Sequence, residues 1–95
     1  IAVPHFTIYK NETSVINLKD FFAGFTNNPK FEVSGSNNMI YRFDGQNTLT
    51  VNSKNNKTGF YTITIKASDK DGWGTMQRVF NFYIDSNTTG IKKDM

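Results

Sequence analysis

Cysteine is absent from the 95 residues, which excludes disulfides, thiol nucleophiles and cysteine-ligated zinc together. Histidine occurs once, as His5, next to Pro4 near the N-terminal end. A Ser-His-Asp arrangement would need three distant segments to converge on that imidazole, so no catalytic residue is assigned and the chain is read as a non-enzyme. No apolar run approaches the ~18 residues that a membrane span requires, and no basic-then-apolar leader opens the sequence. Starting at Ile1, it reads as a processed product or as one domain of a longer protein. Concentrated charge is lacking too. The net charge is +3, but the 11 basic residues are scattered from Lys10 to Lys93 and only Lys92 and Lys93 are adjacent. A nucleic-acid-binding barrel would need Lys and Arg clustered with aromatic rings on one face. Neither nucleic acid nor membrane insertion is therefore expected.

What the sequence does have is aromatic bulk, with nine Phe, four Tyr and one Trp. These side chains favour strands and bury large areas. Tyr61, Ile63, Ile65 and Ala67 alternate with Thr62, Thr64 and Lys66, the period of a strand with one buried face. Phe80, Phe82 and Ile84 alternate with Val79, Asn81 and Tyr83, and the turn-forming stretch from Asp69 to Thr75 joins the two runs as a long hairpin. A second hairpin places Met39, Tyr41 and Phe43 opposite Leu49 and Val51, across a turn at Gly45-Gln46-Asn47. Phe31 and Val33 form a short strand that ends at Ser34-Gly35-Ser36, and Phe6 with Ile8 an N-terminal one after Pro4.

Residues 14–25 fit either period, and are read as a strand from Ser14 to Leu18 followed by one helical turn from Lys19 to Ala23 that stops at Gly24. Seven short strands separated by turns predict an all-β, Ig-like (cadherin-like) β-sandwich of about seven antiparallel strands. Residues 1–85 form the domain and 86–95 a linker or tail. On one parity of each strand, Phe31, Val33, Tyr41, Phe43, Leu49, Val51, Tyr61, Ile63, Ile65, Phe80, Phe82 and Ile84 are expected to share one core.

Four segments in order, Ile16–Phe22 (INLKDFF), Phe31–Asn38 (FEVSGSNN), Asn47–Val51 (NTLTV) and Gly59–Gly72 (GFYTITIKASDKDG), resemble the cadherin-like, Ig-like tandem domains of bacterial and archaeal surface proteins. The resemblance covers residues 14–85. It implies an extracellular, non-catalytic spacer or adhesive module whose partners are neighbouring domains or subunits of the same surface protein. Many such repeats carry an acidic loop after the segment matched by Ile16–Phe22. Here that loop runs from Ala23 to Lys30 and holds no acid.

Asp20, Asp69 and Asp71 are the carboxylates that could converge at one end, and they are the candidate ligands of a calcium site; no other cofactor is implied. An EF-hand is excluded because the position six residues after Gly72 is Arg78. Trp73, flanked by glycines on a hairpin tip with Met76 close by, is the candidate binding residue, for a neighbouring domain or a sugar ring. Sequons at Asn11, Asn56 and Asn87 are candidate glycosylation sites. The expected function is a structural or adhesion module at the cell surface, acting by protein–protein packing. The alternative is a carbohydrate-binding module of a secreted enzyme, stacking sugars on Trp73, Tyr83 and Tyr9.

Overall fold

The computed structural model describes residues 4–22, 29–36, 38–69 and 74–88. Within them lie the strands β1 (His5–Ile8), β2 (Thr13–Asn17), β3 (Lys30–Gly35), β4 (Arg42–Phe43), β5 (Thr48–Asn52), β6 (Gly59–Ser68) and β7 (Thr75–Ile84). Two short 3-10 turns, Leu18–Phe21 and Ser53–Asn55, are the only helical pieces among the described residues. One sheet has four strands in the order β1-β7-β6-β3, the other three in the order β2-β5-β4. The protein is all-β, and its two sheets supply a single core.

Alternation explains that core. Phe31, Leu49, Val51, Ile63, Ile65, Phe80, Phe82 and Ile84 are buried, while Val33, Tyr41, Phe43 and Tyr61 are half-buried against them. None of the twelve expected core residues faces solvent, so the predicted register holds in every strand that carries them. Ile8 and Ala67 from the four-stranded sheet, with Ile16, Leu18, Phe21, Phe22 and Met39 from β2 and the loops, complete the buried cluster. Ring contacts serve where disulfides are missing: Phe6 stacks on Phe82 at 5.0 Å between centroids, Phe21 tilts against Phe80 at 4.9 Å, and Phe22 against Phe31 at 5.4 Å. Such pairs add roughly 0.5–1.5 kcal/mol beyond their burial.

Three expectations are corrected in detail. The strands are not all antiparallel, because β1 pairs with β7 in parallel, Phe6 opposite Phe82 and Ile8 opposite Ile84. Two strands so far apart in sequence are free of the hairpin constraint that enforces antiparallel pairing. The first strand of the ambiguous segment stops at Asn17, not Leu18, because the Asn17 side chain accepts from the Lys19 N–H and starts a 3-10 turn at Leu18. That turn ends at Phe21, and Ala23 and Gly24 lie outside the described residues.

The third correction concerns the run from Met39 to Phe43, of which only Arg42 and Phe43 pair with β5. Asn38 has a φ of 59° and the Met39 N–H bonds to Ser36 O, so the chain turns there. The Asn56 carboxamide then replaces a strand neighbour, accepting from the Ile40 N–H at 2.8 Å and donating to Ile40 O at 3.0 Å. Tyr41 lies over Gly35, where an added Cβ would sit 2.8 Å from the ring, and its hydroxyl donates to Val33 O.

Candidate functional site

The outer face of the four-stranded sheet is mostly polar, as the alternation dictates, but Phe60, Tyr83 and Val79 depart from that pattern. Phe60 belongs to the outward parity of β6 and is 79% exposed. Register places it opposite Tyr83 on β7, and the two rings stack with centroids 4.7 Å apart and planes 29° apart. Parallel pairing brings His5 alongside Asn81 and Thr7 alongside Tyr83, while Thr62 lies opposite Asn81 from β6. These six residues border a shallow depression of about 470 Å³. The Thr62 hydroxyl donates to Ser36 Oγ at 2.8 Å. The carboxamide of Asn81, half-buried at the centre of this patch, has no partner among the described residues. Sequence reading put Tyr83 on the outward face but passed over Phe60, because the strand was counted from Tyr61. An aromatic on the polar parity, opposite another aromatic, was the signal available.

Of the three expected calcium ligands, two are among the described residues. Asp20 lies exposed in the first 3-10 turn, and Asp69 follows β6, its backbone N–H bonded to Gly74 O at 3.1 Å. Asp71 and Trp73 lie outside the described residues, as does the acid-free stretch up to Asn28. Among the described residues, no three His, Asp or Glu side chains group closely enough to hold a metal ion. Because hard cations require several carboxylate or carbonyl oxygens and the stretch from Ala23 to Lys30 carries no acid, millimolar calcium is expected to leave the melting temperature nearly unchanged. A rise of many degrees, abolished by Asp69→Ala, would establish the calcium site instead. Met76 is exposed on β7 opposite Ala67, and Tyr9 sits just after β1, its N–H bonded to Glu12 Oε1.

Of the sequon residues, Asn11 is exposed in the β1–β2 turn with a φ of 68°, and Asn87 is exposed after β7. Asn56 is engaged differently. Its side-chain nitrogen donates to both Ile40 O and Asn52 O, which makes it the tether of the Met39–Tyr41 loop. Nothing in a sequon distinguishes that role from a free side chain.

The sharpest electrostatic feature is the β4–β5 turn. One oxygen of Asp44 accepts from the backbone N–H groups of Gln46 at 2.8 Å, Asn47 at 3.0 Å and Thr48 at 3.0 Å, while Gly45 adopts a φ of 84° that suits glycine. The Thr48 amide first, then those of Gln46 and Asn47, holds the Asp44 carboxyl below the ordinary carboxylate range. A depressed folded-state pKa contributes stability that is complete above the unfolded value and is lost as pH falls through the folded one. In an acid titration followed by NMR, the amide shifts of Gln46, Asn47 and Thr48 should therefore move together, with a midpoint below the ordinary carboxylate range. Asp44→Ala should abolish that shared transition. A midpoint at or above the ordinary range would contradict the bonding described.

Comparison of the chain with family models, with curated proteins and with solved structures gives no match.

Proposed function

We propose that this domain is a non-catalytic structural or adhesion module of a larger extracellular surface or filament protein, built as an Ig-like, cadherin-like sandwich and working through packing against its neighbours. The observation that carries this reading is the parallel pairing of the first and last strands. Because β1 and β7 run side by side in one direction, the start of β1 and the end of β7 face opposite ends of the sheet. A polypeptide passing through successive copies then enters at one end and leaves at the other, with no reversal between them. A hairpin-like pairing of these two strands would have brought both connections to the same end.

Strand order supports the architectural part. The order β2-β5-β4 is that of the B, E and D strands of an Ig-type sandwich, and β7-β6-β3 is that of G, F and C. The first strand stands beside the G-like β7 rather than beside the B-like β2. Neighbouring modules would meet at the two ends of the sheets, in the turns around Asn11 and Asn87 and beside the paired residues Ser68 and Thr75.

Surface exposure of the parent protein tests the proposal. Antibodies raised against the folded domain should label intact source cells as strongly as permeabilised ones. Labelling that requires permeabilisation would overturn the surface assignment.

A further inference from the structure

We infer that the outer face of the four-stranded sheet carries a carbohydrate site, with Phe60 as its platform and a gluco-configured pyranose ring as its occupant. This goes beyond the module reading and does not depend on it. Phe60 is the most exposed large apolar side chain among the described residues, at 79%, yet it is the second residue of β6 and is paired in the ladder opposite Tyr83 rather than placed in a loop. Tyr83 supports one side of its ring and leaves the other to solvent. A ring held in this way loses little freedom on binding.

The surroundings define the ligand. Asn81 offers a donor and an acceptor without a partner among the described residues, and Thr7, Thr62 and His5 place further hydrogen-bonding groups around the same depression. A ligand that satisfies both parts needs a flat apolar face bordered by hydroxyls. A gluco-configured pyranose has this form: its equatorial hydroxyls leave axial C–H bonds on each face of the ring. The patch is poorly suited to another protein. A stable interface buries roughly 800 Å² per partner around several apolar anchors. Here the next exposed apolar side chain of the face, Val79, is four residues from Tyr83, about 13 Å along the strand. Between and beyond them lie Asn81, Thr64, Lys66 and Glu32.

Titration of the isotopically labelled domain with cellohexaose and with chitohexaose, read by NMR, tests the inference. Saturable shifts at Phe60, Asn81 and Tyr83 are expected with at least one of them. Phe60→Leu, which keeps apolar bulk but loses the flat face, should weaken binding by about tenfold or more while the domain still melts cooperatively. Asn81→Ala should weaken it as well and provides a second, independent variant. The absence of saturable shifts with both sugars, shifts confined to other surfaces, or full affinity in Phe60→Leu would each overturn the site. Concentration-dependent dimerisation that perturbs these same residues without sugar would assign the patch to a second copy of the chain and overturn it equally.

Discussion

Phe80→Ala is expected to destabilise the domain by about 3–5 kcal/mol, the range for deleting a buried aromatic ring. Phe80 is fully buried on β7, between β1 and β6, and its ring contacts Phe21 at 4.9 Å, Phe6 at 5.8 Å and Phe22 at 6.3 Å between centroids. Those three rings come from the first strand, from the 3-10 turn after β2 and from the residue that follows that turn, so the loss is felt in both sheets. Flanking strands hold the backbone in place and limit collapse around the vacated space. Domains of this size are commonly stable by roughly 5–15 kcal/mol, so the variant would lie near or beyond the edge of folding. Urea denaturation followed by circular dichroism measures the change. Val79→Ala is the internal control, one residue away on the outward parity and 46% exposed; it should shift stability by no more than about 0.5 kcal/mol. Equal effects of the two substitutions would mean that the register of β7 is wrong.

That register was readable from sequence because the side chains of a strand repeat every two residues, and a slip by one would expose Phe80, Phe82 and Ile84 together. Every inward residue on β5, β6 and the second half of β7 follows from this one constraint. The first half of β7 does not. Arg78 shares the inward parity, opposite Ile65, but its guanidinium donates to Phe21 O at 2.8 Å, so the aliphatic stem spans an apolar position and the charge finds a carbonyl. Alternation also could not reveal that Met39–Tyr41 leaves the ladder. The cause is a side chain sixteen positions away, where Asn56 binds both backbone groups of Ile40. Pairing direction was equally hidden, since hydrophobic period fixes which face is buried and says nothing of which neighbour a strand chooses. The outward aromatic pair was legible in principle: Phe60 and Tyr83 both break the polar parity, and only their register makes them a site. The expected binding residue, Trp73, and the expected ligand Asp71 fall outside the described residues, so the aromatic site described on the sheet is built without them.

Removal of residues 1–10 should unfold the isolated domain, because β1 is a structural part of the sheet it joins. Ile8 is only 2% exposed, and Phe6 lies against three rings, those of Phe82 at 5.0 Å, Phe21 at 5.5 Å and Phe80 at 5.8 Å. The backbone adds its own ties: the Asn81 N–H to Pro4 O and the Asp85 N–H to Ile8 O, each 2.9 Å, and the Lys10 N–H to Asn87 O at 2.7 Å. Loss of two core side chains alone amounts to roughly 5 kcal/mol or more, and the β7 edge from Asn81 to Asp85 would be left unpaired beside Phe82 and Ile84. Most of these ties are backbone bonds, which any extended segment can reproduce. A synthetic peptide spanning residues 4–10, added in trans, is therefore expected to restore cooperative melting to the truncated chain by refilling the same edge in parallel. The same vacancy, filled by the first strand of a neighbouring copy, would join modules through β7 without any sequence motif to mark it. Truncated protein that melts as the intact chain does, with no peptide present, would show that β1 is dispensable to the core.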